Sequence, residues 1–184
     1  MEADLNVYGC ANCGSACPAA VKRIEPQPLP DDVNRLKWWL EFSQKQTAQL
    51  WELLREYLDE EAQSAILNRL GRNCARSLGW ARQFVGDPEG FFRHMHDSCG
   101  EVITFDREAN VITVTTPERD CVCMLVNSGN ISPVYCNCSM GWQQYTYETI
   151  LNKKVSVTVE KAVIRGDRKC VFHIAVLDEL TVAQ

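Results

Sequence analysis

The sequence predicts an α+β fold in which N-terminal helices pack on an antiparallel sheet made of two hairpins with a helix between them. The apolar residues recur every three or four positions before Gly100 and every second position after it, which is the change from the helical to the strand period. The connections at residues 106–110 and 165–168 are too short for the crossover that parallel strands require. We therefore expect residues 31–98 to be mainly helical and both hairpins to be antiparallel.

The first half carries an uninterrupted helical pattern. The acidic residues 31–32 can cap a helix, and negative charge in the first turn suits the helix dipole. No glycine or proline follows until Gly71, so we expect one long helix or two consecutive helices that end there. A shorter helix is expected at residues 73–84. The pair Asp87-Pro88 then supplies an N-cap and a first helical residue for another helix.

The second half contains short β-branched and alternating runs. Residues 101–115 predict one hairpin with a five-residue loop, and residues 153–177 predict another. Between them, Ser139 can cap a helix that is expected at residues 140–151. Residues 116–139 show little periodicity, and we interpret them as a loop.

Residues 1–30 differ from the rest and predict a Cys-rich tail with a Pro-rich linker. The prolines at alternating positions in residues 25–30 exclude a helix and favour an extended connector. Residues 31–184 are then expected to form a single α+β ligand-binding domain.

The composition limits the classes of function. The chain has 184 residues and a net charge of -5, with a pI near 5.3, which argues against nucleic-acid binding. No apolar stretch approaches the roughly 20 residues of a membrane span. The N-terminus lacks the basic and apolar regions of a secretory signal, so we expect a cytoplasmic location. The ten cysteines are then expected to be reduced thiols, metal ligands or redox groups.

Four cysteines form two Cys-x-Cys pairs separated by twelve residues, namely Cys121, Cys123, Cys136 and Cys138. Thiolates from two short loops can supply the four tetrahedral ligands that zinc prefers. The alternative is that these cysteines are small buried hydrophobic residues. The zinc hypothesis predicts that all four sulfurs lie within reach of one ion.

The tail cysteines match part of an iron–sulfur motif. Cys10, Cys13 and Cys17, with the proline that follows, match the last three cysteines and the proline of the bacterial ferredoxin run. Val7 stands where the first cysteine of that run would fall. Cys74 is a candidate fourth ligand from the main body. The alternative is a tail with free thiols.

The helix predicted after Cys138 carries the candidate ligand-binding and catalytic residues. Trp142, Tyr145 and Tyr147 could close one side of a cavity over the sheet, where a small apolar or cyclic ligand would bind. Glu148 follows these aromatic residues, and a carboxylate in an apolar wall can serve as a general acid or base. Cys138 is the candidate nucleophile with Glu148 as its base. The alternative is that Glu148 is an ordinary surface residue.

A family resemblance rests on four segments, in the order Gly71-Arg72-Asn73-Cys74-Ala75, Cys121-x-Cys123, Ser132-Pro133-x-Tyr135-Cys136-x-Cys138-Ser139-x-Gly141-Trp142 and Gly166-Asp167-x-x-Cys170-x-Phe172-x-Ile174. In this order the chain resembles the L-2-amino-thiazoline-4-carboxylic acid hydrolase-like proteins and, more distantly, the vinyl-reductase-type small-molecule-binding domains. The resemblance covers residues 71–177. It implies helices packed on an antiparallel sheet with a ligand pocket between them, and it carries over no catalytic residue.

Three functions remain open on the sequence. The first is a cytosolic metal- and small-molecule-binding domain that acts as a sensor or carrier. The second is a hydrolase of a cyclic amidine or thiazoline-like ring. Four thiolates would occupy all four coordination positions of a zinc ion and leave none for water, which disfavours metal-assisted hydrolysis. The third is an iron–sulfur or redox protein that uses the tail cysteines. A second copy of the chain is kept as a candidate partner, whereas nucleic acid and membranes are not expected.

Overall fold

The structure is a computed structural model that describes residues 32–118, 121 and 132–177. The chain comprises two compact units, Met1–Glu41 and Phe42–Gln184. Within the first unit, the structure describes residue 32 and the beginning of the first helix. The rest of that helix and all other described elements belong to the second unit. The tail that the sequence predicts lies outside the described residues, so its division from the main body remains a prediction.

Two helices, α1 (Val33–Tyr57) and α2 (Glu60–Leu78), form the first half of the chain. Asp59 caps α2, because its side chain accepts a hydrogen bond from the backbone N–H of the third residue of the helix at 2.8 Å. The prediction that the helix ends at Gly71 is wrong. Helix α2 continues through Gly71 as far as Gly79, whose φ of 70° ends it.

A 3-10 turn, Trp80–Phe84, replaces the remainder of the helix predicted at residues 73–84. The next helix, α3 (Pro88–Cys99), begins where the sequence predicts. The Asp87 carboxylate accepts a hydrogen bond at 2.9 Å from the backbone N–H three residues further on, and the proline occupies the first helical position. Gly100, with a φ of 70°, ends α3.

Four strands form one antiparallel sheet, namely β1 (Val102–Asp106), β2 (Val111–Thr115), β3 (Val155–Lys161) and β4 (Val171–Val176). The strand order is β1-β2-β4-β3. Strand β4 therefore pairs antiparallel with both β2 and β3. The predicted antiparallel hairpins are confirmed, and they meet along β2 and β4.

The helix between the hairpins, α4 (Cys136–Leu151), begins earlier than the sequence predicts. A 3-10 turn at Pro133–Tyr135 leads directly into α4. Ser132 caps that turn, because its hydroxyl accepts a hydrogen bond from the backbone N–H two residues further on at 3.3 Å. Ser139 therefore lies inside the first turn of α4 and is not its N-cap. Cys136 and Cys138, which we expected in a loop, are helical residues.

The main core lies between one face of the sheet and the helices α3 and α4. Its buried members include Phe91, Phe92, Ile112, Val114, Tyr147, Ile150, Phe172 and Ile174. A smaller cluster joins Trp51 of α1, Leu67 of α2 and Tyr135. The architecture is therefore the α+β class that the change of period predicts. Across the described part of the chain, no helix combines the length and apolar character needed to span a bilayer.

Candidate functional site

Helices α2 and α4 cross with their backbones in direct contact. A Cβ atom on Gly71 would overlap with the backbone carbonyl of Cys138, and one on Gly141 would overlap with the backbone of Asn68. Glycine permits this approach because it has no side chain. The crossing fixes α4, which carries most of the candidate site residues, against α2.

Glu148 lies in an ion pair between these two helices. Arg72 of α2 donates a hydrogen bond from Nη2 to Oε2 of Glu148 at 2.7 Å, and the Glu148 side chain is only 14% exposed. Nζ of Lys154 lies 3.8 Å from the other carboxylate oxygen. The carboxylate is therefore held by two cations instead of the apolar wall that we expected.

The proposed nucleophile and base are too far apart to act together. Cys138 and Glu148 lie ten residues apart on α4, which corresponds to about 15 Å of rise along an α-helix. Direct proton transfer needs donor and acceptor atoms within roughly 3 Å. A mechanism in which Glu148 deprotonates Cys138 is therefore excluded, while a separate role for either residue stays a prediction.

The three candidate ligand-binding aromatics face different neighbours. The Trp142 ring lies 6.1 Å from the Trp80 ring, between their centroids. The Arg76 guanidinium lies 5.5 Å from the centre of the Tyr145 ring. Tyr147 belongs to the main core, where its ring meets that of Phe91 edge to face at 5.8 Å. Of the three, only Tyr147 packs over the sheet, so they do not line one wall.

The hydroxyl of Tyr147 is buried in an aromatic and aliphatic environment. Among the described residues, neither this hydroxyl nor that of Thr146 has a hydrogen-bond partner. Burial raises the pKa of Tyr147 well above its usual value of 10.0, and the negative charge of Glu101 adds to the rise. The phenol is therefore protonated at neutral pH and can donate a hydrogen bond.

The helical position of two cysteines changes the predicted zinc site. Cys136 and Cys138 are two residues apart on α4, so their side chains leave the helix about 200° apart. Cys121 is partly buried, whereas Cys123 lies outside the described residues. Within residues 32–118, 121 and 132–177, no group of three or more histidine, cysteine or acidic side chains is arranged to hold a metal. The zinc site stays a prediction.

The cysteines assigned to an iron–sulfur site are not tested by the structure. Cys10, Cys13 and Cys17 lie outside the described residues. Cys74, the candidate fourth ligand, lies in α2 and is exposed. The iron–sulfur cluster stays a prediction.

Sequence analysis missed a hydrogen-bonded row on the outer face of the sheet. His173 of β4 lies between Thr113 and Glu160, with 3.2 Å from Nδ1 to the threonine hydroxyl and 2.7 Å from Nε2 to the carboxylate. The hydrogen bond from His173 holds the pKa of Glu160 below its usual value. The alternation along β4 places His173 away from the core. The local sequence does not reveal the strand order that brings Thr113 and Glu160 beside it.

Comparisons with known proteins extend the description of the fold. No family model matches the chain, and neither does any curated protein. Among solved structures, the chain is similar to a trafficking protein particle complex subunit 3 from Naegleria fowleri, which is covalently bound to palmitic acid. The two are 15% identical with a TM-score of 0.51, over 77% of this chain and 97% of the other.

A vinyl-4-reductase family protein from Methanocaldococcus jannaschii also matches, with 12% identity, a TM-score of 0.36 and coverage of 84% and 85% of the two chains. Its family is the one named in the more distant part of the sequence resemblance. Neither of these two structures supports the thiazoline hydrolase part of the resemblance. What the chain shares with the Naegleria subunit at this level of identity is its fold.

Proposed function

We propose that the chain is a small-molecule-binding module whose ligand has an apolar body and one polar group. The observation that carries the proposal is the Tyr147 hydroxyl, which is buried among aromatic residues between α3, α4 and the sheet and has no partner within the described residues. Binding sites for small molecules are mainly apolar and contain a few polar groups that orient the ligand.

The energetics of the buried hydroxyl favour such a ligand. A buried polar group without a partner costs about 1–3 kcal/mol, and a ligand atom that accepts its hydrogen bond removes that cost. The site therefore suits a ligand with a hydrogen-bond acceptor, such as a carbonyl, ether or hydroxyl oxygen.

An acyl chain is the candidate for the apolar body. The Naegleria subunit, which shares this fold, is covalently bound to palmitic acid. Rings such as Phe91 and Phe92, which contact Tyr147, give an apolar environment in which a methylene chain gains about 0.8 kcal/mol per buried CH₂ group.

Binding of long-chain probes tests the proposal. Palmitic acid, 1-hexadecanol and hexadecane would be titrated into the full chain while its tryptophan fluorescence is followed. The two oxygen-bearing probes should bind more tightly than hexadecane. Tyr147→Phe should reduce that preference about tenfold, which corresponds to one hydrogen bond of roughly 1.4 kcal/mol.

Tyr145→Phe is the matched control, because Tyr145 is two residues away on the same helix and faces Arg76. It should leave the affinities unchanged. Equal affinity of the wild type for all three probes, or equal effects of the two substitutions, would contradict the role of the Tyr147 hydroxyl. Failure of every probe to bind would contradict the proposed function itself.

A further inference from the structure

Glu101 is a buried acidic residue on the core side of the sheet. It lies between Gly100, which ends α3, and the first residue of β1. Along β1 every second residue is exposed, whereas Ile103 and Phe105 pack against the main core. Side chains alternate between the two faces of a strand. Glu101 continues this alternation on the core side, where it is only 9% exposed.

The end of α3 holds Glu101 beside the residues that surround Tyr147. The backbone N–H of Glu101 donates a hydrogen bond to the carbonyl oxygen of Met95 at 3.4 Å. Met95 and Phe92 belong to the same buried cluster as Tyr147, and the rings of Phe92 and Tyr147 lie 6.5 Å apart between centroids. Glu101 is close enough for its negative charge to add to the rise in the pKa of Tyr147. The proposed site therefore borders on a carboxylate as well as a hydroxyl.

These two groups limit the polar end of a ligand in different ways. The Tyr147 hydroxyl can donate a hydrogen bond only to an acceptor, and an ammonium group offers none. The negative charge of Glu101 repels an anion, and water and salt screen such a repulsion less in a protein interior than at the surface. An uncharged group with an acceptor oxygen satisfies both requirements.

We infer that Glu101 makes the site selective for an uncharged long-chain ligand, such as an amide, ester or alcohol, over the anion of a fatty acid. The inference rests on the proposed function, because it concerns the polar end of the ligand that Tyr147 would orient. A fatty acid is ionised at neutral pH, since carboxyl groups have pKa values of about 4 in water. Its carboxylate would bring a second negative charge beside that of Glu101.

A thermodynamic cycle isolates this repulsion. Palmitamide and palmitate have the same shape and differ in charge, as do glutamine and glutamate in the protein. Both probes would be titrated at neutral pH into the full-length wild type and Glu101→Gln while tryptophan fluorescence is followed. The wild type should bind palmitamide at least about tenfold more tightly than palmitate. Glu101→Gln should reduce this ratio about tenfold, because it removes the repulsion and leaves the solubilities of the probes unchanged.

Glu108→Gln is the matched control, because it makes the same change at an exposed turn, and it should leave the ratio unchanged. Glu101→Met removes the charge with a side chain of similar length. It completes the same cycle if circular dichroism shows that Glu101→Gln does not fold. Equal affinity of the wild type for the two probes would overturn the inference, as would an unchanged ratio in the folded variant that lacks the charge.

Hexadecane distinguishes a failure of this inference from a failure of the proposed function. A wild type that binds palmitamide more tightly than hexadecane, with no change of the palmitamide-to-palmitate ratio in Glu101→Gln, would overturn only the role of Glu101. Failure of all three probes to bind would overturn both the inference and the proposed function.

Discussion

The Tyr147 side chain places one buried hydroxyl inside an apolar core. Its ring is ordinary core packing, whereas the sequence predicts Tyr147 as part of one side of a ligand cavity over the sheet. The buried hydroxyl is different, because tyrosine hydroxyls in a protein interior usually have a partner. The sequence names the residue, whereas only the three-dimensional arrangement shows that the hydroxyl is enclosed.

Alkaline pH should expose the energetic consequence of this burial. Because the pKa of Tyr147 is raised in the folded protein, its neutral form stabilises the fold below the usual pKa of about 10. That stability should be lost as the pH rises above this value toward the folded pKa. The free energy of unfolding, measured with urea at neutral pH and at about pH 11, should therefore fall less in Tyr147→Phe than in the wild type.

Tyr145→Phe again provides the comparison, since it removes a tyrosine hydroxyl that is not fully buried. It should reproduce the pH dependence of the wild type. Identical pH dependence in all three proteins would show that Tyr147 ionises as easily in the folded state as in the unfolded chain.

Glu148 illustrates the residue-scale limit of sequence analysis. The local sequence surrounds it with aromatic residues, but its partner Arg72 lies 76 positions earlier. Glu148→Gln should lower the free energy of unfolding by about 1–2 kcal/mol, because a charged hydrogen bond at a partly buried site is lost. Urea denaturation measures this. Glu108→Gln, at an exposed turn, should change stability by less than about 0.5 kcal/mol, and an equal loss in both would contradict a structural role for the ion pair.

At the scale of elements, the glycine crossing of α2 and α4 determines which residues face each other. Gly141→Ala should destabilise the fold by about 3 kcal/mol, because the new methyl group overlaps with the backbone of α2. Gly86→Ala is the matched control. No atom lies within 4 Å of its Cβ position and its φ is 79°, so only backbone strain of about 1–2 kcal/mol is expected. Thermal and urea denaturation of both variants compare the two costs.

The element boundaries divide into those that local chemistry sets and those that packing sets. Asp87 and Gly100 bound α3 through capping contacts within a few residues, and the sequence predicts the first of these ends. Gly71 does not end α2, and Ser139 does not begin α4, because the two helices contact each other along this stretch. A contact between residues about 70 positions apart leaves no signal in the local pattern.

The helical geometry of the Cys136–Cys138 pair limits how many of these two cysteines can bind the predicted zinc ion. Since the two side chains point about 200° apart, at most one of them should face an ion that Cys121 also binds. If zinc binds here, one of the single variants Cys136→Ser and Cys138→Ser should lower the zinc content and the melting temperature, while the other should not. Metal analysis of protein purified under reducing conditions measures this, and wild-type zinc content in both variants would contradict the site.

At the scale of the whole molecule, we predict that the tail can be removed without loss of the main body. The described core clusters lie entirely within the second unit, Phe42–Gln184. Deleting residues 1–30 should therefore leave the melting temperature nearly unchanged, by calorimetry. Loss of the cooperative transition in the shortened chain would contradict an appended tail. A longer deletion that ends inside α1 serves as the control, because it shows what calorimetry records when part of the main body is removed.

The strand order also determines when the fold can form during synthesis. Strand β4 occupies a central position between β2 and β3, although it is the last of the described strands along the chain. The first hairpin, β1 and β2, is complete some 60 residues earlier, and an isolated hairpin is marginally stable in water. The complete sheet can therefore form only after residue 176 has left the ribosome. Premature termination before β4 would remove a central strand of the sheet and not merely an edge strand.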